Sequence, residues 1–402
     1  MPCIHKEPEL KTAYPTLHRS TRTWTLILAV VAVAFGIVPG AVAQTTTPAP
    51  AAAAAPDADK PSINVGAVLF ADYQYQNKPT ITDSDGNTVN LSQFEVTRGY
   101  INITGNISHL ISFRITPDVT RYSQTGNSLD GSMVFRLKYA YFSLSLDDWL
   151  PKGSWIRFGE GQTPYIDNFE QTYHYRFQGS TFTDREGYLT TSDFGASFHL
   201  AFPKNYGDIH VGMYNGEGYA KAEVNDQKAY EVRLGVRPLP TNAILKGWKL
   251  NAFYDDDHSV QNAPRTRAVY NTTFEHQFVI FGVEYLDSHD ATSDKPKSVN
   301  KHGEGYSVFL NPKYTMANGG SIEALIRYDH MEPNHDLAVV GGATTPGFGT
   351  DERTIGGISY WFPHKGTVTT AVMFDVDNVT FPGYVTAQPT QQKFFVHTLV
   401  SF

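Results

Sequence analysis

The chain ends in FFVHTLVSF, residues 394–402, which is the pattern of a β-strand with one apolar face. Phe394, Val396, Val400 and Phe402 fall on one side of an extended strand, because successive side chains of a strand point to opposite faces. Chain ends are usually polar and frayed unless a contact holds them. The aromatic last residue therefore predicts that this end lies against an apolar surface.

Composition indicates that the rest of the chain is also rich in strands. Of the 402 residues, 41% are hydrophobic and 13% aromatic, and the mean hydropathy is −0.32. This is too polar for a bundle of membrane helices and suits strands and turns. We interpret sixteen alternating segments as strands, at 62–74, 93–104, 110–119, 133–146, 154–164, 188–202, 206–215, 228–238, 246–256, 265–275, 277–287, 302–315, 320–332, 351–362, 366–378 and 390–402.

The connections between these segments alternate between short turns and long polar loops. The long ones are 75–92, 120–132, 165–187, 216–227, 257–264, 288–301, 333–350 and 379–389. A soluble β-sandwich would show the same two-residue period, but it has no reason to keep this order of connections. The asymmetry is typical of an outer-membrane barrel with short periplasmic turns and long external loops. Aromatic residues near strand ends then predict interfacial girdles: Tyr139, Tyr141, Phe142, Trp149, Trp155, Tyr360, Trp361 and Phe362.

The fold prediction is an all-β transmembrane antiparallel barrel of about sixteen strands. Its last strand closes the sheet, which removes the free edge that lipid would not tolerate. Phe394, Val396, Val400 and Phe402 would then face lipid, with Phe402 at the periplasmic rim. A barrel of this size is too wide for side chains to fill, so a water channel is expected.

The first residues read as an export signal. His18, Arg19 and Arg22 precede the apolar run 24–38, and Ala-Val-Ala at 41–43 offers a cleavage site. A membrane anchor is the alternative, but this run falls short of the roughly 20 residues that a spanning helix needs. We predict a signal peptide at 1–43, an Ala/Pro-rich periplasmic linker at 44–61 and the barrel at 62–402.

Charge and cysteine content exclude several partners and sites. The only cysteine, Cys3, would leave with the signal, so neither disulfides nor thiolate sites are expected. Residues 44–402 carry 28 basic and 38 acidic side chains, a net charge of −10 with no basic run, which argues against a nucleic-acid partner. No cofactor or metal is predicted, since the 14 histidines form no H-E-x-x-H pattern. The acidic run 255–258 offers oxygen donors for a divalent cation, but a solvated loop tip is the favoured interpretation.

Basic residues on the polar strand faces are candidates for lining the pore. A charged side chain facing mid-bilayer lipid costs about 2–4 kcal/mol, so these side chains are expected to point inward. Alternatively, they pair with carboxylates such as Glu95, Asp118, Glu160, Asp184, Glu186, Glu231 and Asp329. The net charge leaves selectivity open between anions and cations. The candidates are Arg98, Arg114, Arg136, Lys138, Arg157, Arg233 and Arg327.

Three stretches resemble the phosphate-selective porin family of the porin O/P type. They are FEVTRGYINITGNISHLISFRITPDV (94–119), VFRLKYAYFSL (134–144), and IRFGEGQTPYIDNFEQTYHYRF (156–177) followed by DRE (184–186). The resemblance implies a homotrimer with a pore in each subunit, passive uptake of small hydrophilic solutes or ions, and anions such as phosphate as cargo. It also implies that loop 165–187 folds inward as the constriction, with candidates Tyr173, His174, Arg176, Asp184, Arg185 and Glu186. The chain departs from the specific members in lacking a lysine cluster.

The closing strand resembles the C-terminal signal of Gram-negative outer-membrane barrels. This likeness implies outer-membrane lipid and the barrel assembly machinery as partners. Two functions of other classes stay open. A barrel hydrolase would need a group such as Ser197 with His199, or Asp208 with His210, and a structural or adhesive barrel would have a plugged lumen.

Overall fold

In a computed structural model of the chain, residues 60–261, 263–291, 300–335, 338–340, 343–345, 349–364 and 366–402 are described. All of these residues belong to one unit of the chain, Asp57–Phe402. The predicted signal peptide and the linker up to residue 59 lie outside the described residues.

Sixteen antiparallel strands form one closed barrel, in which each strand pairs with its neighbours in the chain and the last pairs with the first. The prediction of a closed barrel of about sixteen strands is confirmed. The strands are β1 (Ser62–Lys78), β2 (Ser92–Asn106), β3 (Ile111–Arg121), β4 (Met133–Ser145), β5 (Trp155–Gln162), β6 (Ser192–Ala201), β7 (Gly207–Tyr214), β8 (Ala229–Val236), β9 (Trp248–Val260), β10 (Ala263–His276), β11 (Val279–Ala291), β12 (Asn300–Thr315), β13 (Ser321–Glu332), β14 (Asp351–Trp361), β15 (Thr369–Thr380) and β16 (Gln391–Ser401).

In the residues that the structure describes, regular structure outside the barrel consists of short pieces. Two helical turns, α1 (Ile166–Glu170) and α2 (Phe182–Arg185), lie in the loop after β5. Single 3-10 turns occupy Pro203–Asn205 and Leu245–Gly247, and small hairpins pair Ile81–Thr82 with Thr88–Val89 and Ala338–Val340 with Ala343–Thr345. Within the described ranges, no helix has the length and apolar character needed to cross a bilayer.

The closing seam joins β16 to β1. Leu69 lies opposite Val400, and the backbones of Ala67 and Phe402 exchange two hydrogen bonds of 3.0 Å. Val396, Val400 and Phe402 lie on the outer surface, exposed by 38%, 39% and 61%, whereas Phe394 is half-buried against the Tyr75 ring. Their contact with lipid stays a prediction.

The expectation of a loop at 257–264 is wrong. Strands β9 and β10 continue through this region and leave only residues 261–262 between them. The extension is stabilised by cross-strand pairs of opposite charge, since Asp257 lies opposite Arg265 and forms an ion pair with it. The acidic run is consequently part of a strand, and Asp255 and Asp257 are buried on the inner face.

The expectation that all strand-end aromatics form an outer girdle is wrong for half of them. Phe142, Trp149 and Phe362 are exposed on the outside, where Phe362 contacts Tyr360. Tyr139, Tyr141, Trp155 and Trp361 point inward, where three of them contact arginines and Trp361 contacts Tyr175.

A β-bulge explains the inward position of Tyr139. Thr116 pairs with Tyr139 and Pro117 pairs with Leu137, which leaves Lys138 as an extra residue in β4. Lys138 and Tyr139 are 3% and 8% exposed, so two consecutive side chains point into the barrel.

Candidate pore constriction

The loop after β5 comprises residues 163–191 and folds into the barrel, as predicted for its residues 165–187. Seven of its apolar side chains are at most 4% exposed: Tyr165, Ile166, Phe169, Tyr173, Tyr175, Phe177 and Phe182. They form one cluster with inward-facing side chains of β1 and β9–β16, among them Phe70, Phe253, Phe309, Leu325, Ile355, Met373 and Leu399. The loop thus fills the part of the lumen beside these strands.

Buried polar contacts fix the loop to the same side of the barrel. Arg233 of β8 donates from Nε to the Pro164 carbonyl at 2.8 Å. Arg327 of β13 donates from Nη1 to the Tyr173 hydroxyl and the Ser180 carbonyl, both at 2.9 Å. Each arginine also pairs with a carboxylate of the wall, Arg233 with Asp208 and Arg327 with Asp329, and each is 2% exposed. Both arginines therefore hold the loop to the barrel wall.

The candidate residues of the loop largely serve its attachment and internal pairing. Tyr173 accepts the hydrogen bond from Arg327, and His174 lies 2.8 Å from Glu323. Arg176 bridges Glu170 at 2.8 Å and Asp184 at 2.9 Å, so its charge is compensated inside the loop.

The last two loop candidates, Arg185 and Glu186, lie near the wall. Arg185 is 3.7 Å from Asp329. Burial raises the pKa of the Glu186 carboxyl, and Arg353 opposes this shift. Each of these two charges therefore has a charge of opposite sign nearby.

Five of the predicted pore-lining residues lie together on the inner face of β2–β5, and we call them the basic wall: Arg98, Arg114, Arg136, Lys138 and Arg157. Arg98 and Arg136 share the carboxylate of Asp118, at 3.3 and 2.9 Å. This agrees with the alternative that arginines pair with nearby acids. In the described part of the chain, the other three have no carboxylate within 4.0 Å.

Aromatic rings surround the three cations that lack a carboxylate partner. The Arg114 guanidinium lies 4.4 Å from the Tyr139 ring centre, and that of Arg157 lies 3.7 Å from the ring centre of Trp155. Lys138 donates to the Tyr100 hydroxyl at 3.2 Å. Such contacts hold a cation in place without cancelling its charge.

The loop presents two carboxylates toward the basic wall, Asp167 and Glu170, which the sequence analysis did not select. Burial raises the pKa of the Asp167 carboxyl, and Arg157 and Arg114 oppose the shift. Burial also raises the pKa of Glu170, opposed by Arg176 and Lys138. The spacing of residues in α1 could have predicted this arrangement. Ile166 and Phe169 are three residues apart and share the buried face, whereas Asp167 and Glu170, with the same spacing, share another face.

Part of the space beside the basic wall forms a cavity. A cavity of about 380 Å³ is lined by Arg114, Arg157, Tyr141, Ser143 and Gln162, together with residues of β1–β3. Tyr219, from the loop between β7 and β8, reaches toward the wall and accepts a 2.7 Å hydrogen bond from Arg136. The structure thus provides a cavity next to the basic wall, lined by two of its arginines.

The candidate hydrolase groups do not form a nucleophile–base pair. His199 uses Nδ1 for the Gly153 carbonyl at 2.8 Å and Nε2 for Asp208 at 3.0 Å, so neither nitrogen is directed at Ser197. Asp208 is shared with Arg233. His210 stacks edge-on against Trp155 and is buried.

Comparison with solved structures places the fold among outer-membrane barrels. OmpF of Salmonella typhi is 11% identical, covers 86% of this chain and 98% of its own, and has a TM-score of 0.57. An anion-selective porin from Comamonas acidovorans is 10% identical, with 85% and 100% coverage and a TM-score of 0.55. OmpT of Vibrio cholerae in its trimer form is 11% identical, with 86% and 100% coverage and a TM-score of 0.51.

These identities establish the fold and no more. No family model matches the chain, and no curated protein matches it. The resemblance to the phosphate-selective porin family is therefore not confirmed, whereas the closed sixteen-strand barrel architecture of outer-membrane porins is.

Proposed function

We propose that this protein is an outer-membrane porin, a water-filled channel for passive diffusion of small hydrophilic solutes that favours anions. The observation that carries the proposal is the basic wall of β2–β5, facing the Asp167 and Glu170 carboxylates across the lumen of a closed barrel. Charges of opposite sign on opposite sides of a constriction create a transverse field that orients a passing solute.

The balance of charge in this passage favours anions. The basic wall carries five cations, and Asp118 is the carboxylate that pairs with two of them. Asp167 and Glu170 stand opposite, and Glu170 already pairs with Arg176. The net charge of the whole chain is negative. An ion in the lumen nevertheless responds mainly to the side chains nearest to it, because salt screens charges that are more than about 10 Å away.

Reversing one charge of the basic wall should shift the ion preference. In Arg157→Glu or Arg114→Glu, an ion passing about 7 Å away experiences an energy change on the order of 1 kcal/mol in water. The anion is disfavoured and the cation favoured by about fivefold each, so we expect the anion-to-cation permeability ratio to fall about thirtyfold. Reversal potentials in a KCl gradient across a planar bilayer measure this ratio.

Lys152→Glu is the matched control, because it makes the same charge change at an exposed site in the turn between β4 and β5. Its permeability ratio should stay close to that of the original protein. Equal ratios in all three variants and the original protein would remove the basic wall from the permeation path.

Phosphate is among the anions that the basic wall would attract. Lys138 is the only lysine of this wall, so we propose a general preference for anions. Inhibition of the chloride current by a low concentration of phosphate would indicate phosphate specificity.

The same recordings address the other classes of function. A plugged structural barrel would not conduct, and a hydrolase would release product from ester or peptide substrates.

The remaining proposals concern assembly and location. We infer export through cleavage after Ala43, insertion into the outer membrane with the help of the barrel assembly machinery, and a homotrimer. The OmpT structure in its trimer form supports the last point by likeness of fold. Light scattering of the detergent-solubilised protein should give three chains per particle, and a mass of one chain would exclude the trimer.

A further inference from the structure

A cluster of side chains that could bind a metal ion lies on the outer face of the barrel, whereas the inward loop lies inside it. Asp287 and His289 lie two residues apart in β11, so they share one face of the strand. His302 of β12 lies directly opposite His289 in the antiparallel pair. The sheet itself therefore brings one carboxylate and two imidazoles together.

The three side chains converge on one point. Nε2 of His289 lies 3.3 Å and Nε2 of His302 lies 3.1 Å from the same oxygen, Oδ1 of Asp287. The potential ligand atoms of the three residues all lie within 4.8 Å of one another. Ligands about 2.0–2.1 Å from a tetrahedral zinc ion are separated by about 3.3 Å, which is close to these distances.

The imidazole pair is better suited to a metal ion than to two protons. The rings of His289 and His302 are stacked with centres 4.2 Å apart and an angle of 16°. Two protonated imidazoles at this distance repel each other, whereas two neutral imidazoles both present a lone pair to a cation. Nitrogen donors favour zinc and its transition-metal neighbours over calcium and magnesium, which prefer oxygen.

The environment supplies further negative charge and access from solvent. Glu304 lies opposite Asp287 in the same strand pair. The Tyr285 hydroxyl donates a hydrogen bond to Oε1 of Glu304 at 2.6 Å. The side chains of Asp287, His289 and His302 are exposed by 37%, 59% and 24%, so the cluster lies at the protein surface.

The geometry points to a binding site for a divalent transition-metal ion of the zinc class, ligated by Asp287 Oδ1, His289 Nε2 and His302 Nε2. The site lies on the outer surface at the end of the barrel with the long loops. Three protein ligands leave a coordination position for water or an external oxygen ligand. Metal binding here is independent of the proposed pore.

Cobalt binding to the untagged mature protein in detergent tests the site. After removal of metals with a chelator, titration with Co²⁺ should give the visible absorption of a low-symmetry complex at one ion per chain, and Zn²⁺ should displace it. In His302→Ala and in Asp287→Asn the affinity should fall at least about tenfold, because loss of a ligand costs no less than loss of a second-layer contact.

His330→Ala is the matched control. His330 also lies between carboxylates, 3.6 Å from Glu332 and 3.9 Å from Glu352, but it belongs to neither β11 nor β12. Its binding should equal that of the original protein. Absence of a cobalt signal at micromolar concentration, or an equal loss in His330→Ala and His302→Ala, would overturn the assignment. Heat-modifiable migration of each variant on a gel verifies that the barrel is folded.

Discussion

Replacing Arg327 by alanine is expected to loosen the inward loop and to lower the free energy of unfolding by about 3–5 kcal/mol. Arg327 forms a bidentate ion pair with Asp329, in which Nε donates to Oδ1 at 2.8 Å and Nη2 donates to Oδ2 at 2.7 Å. Its removal leaves Asp329, which is 1% exposed, without its main partner, and an uncompensated buried charge carries a cost of this size. Urea unfolding of the protein in lipid vesicles measures the change.

The single-channel current of the same variant should fluctuate more. Tyr173 and Ser180 lose the donor that holds this part of the loop to β13, so the loop can move toward the basic wall and away from it. Arg327→Lys keeps the charge but not the planar fork, and it should lie between alanine and the original residue.

Arg121→Ala controls for the loss of an arginine. Arg121 pairs with Glu95 at 3.0 Å but is 48% exposed, and an exposed pair contributes about 0–1 kcal/mol. Unfolding and current fluctuations equal to those of Arg121→Ala would show that Arg327 does not anchor the loop.

Replacing His397 by alanine should weaken the closing seam by a similar amount. The imidazole lies between two carboxylates, with Nδ1 2.8 Å from Asp72 of β1 and Nε2 3.0 Å from Asp375 of β15. All three side chains are at most 8% exposed. Without the imidazole, two buried carboxylates face each other across β16, at a cost of about 3–5 kcal/mol. The folded band should be lost at a lower temperature on a gel.

A rescue separates charge from packing at this seam. Adding Asp72→Asn and Asp375→Asn to His397→Ala removes both buried charges, so part of the stability should return. His364→Ala, at an exposed turn between β14 and β15, should leave the folded band unchanged. A seam effect is excluded if His397→Ala melts like His364→Ala.

Strand number and order could be predicted because each strand has one apolar face. The two-residue period fails as a guide where a strand gains an extra residue, and Lys138 in β4 is such a position. It also cannot reveal where a strand outlasts its apolar face. Strands β9 and β10 continue past residue 256 because arginines and aspartates pair across them, an effect that depends on the partner strand.

The cations of the site could be predicted from the sequence. Which of them face the passage and which of them hold the loop could not. Alternation was sufficient to direct Arg98, Arg233 and Arg327 inward. It could not distinguish a cation that faces the passage from one that lies under the loop, because that depends on where the loop rests. The Asp287, His289 and His302 cluster was missed for a related reason. Its ligands come from two strands, and a motif search in one segment does not join them.

The contacts of the inward loop also constrain the order of assembly. Tyr175 hydrogen-bonds Ser359, 184 residues later in the chain, and His174 contacts Glu323, 149 residues later. The loop therefore cannot reach its final position until the C-terminal third of the chain has been delivered, and contacts between such distant segments form slowly. Until then the seven buried apolar side chains of the loop are exposed, and we expect a chaperone or an unfinished sheet to cover this segment.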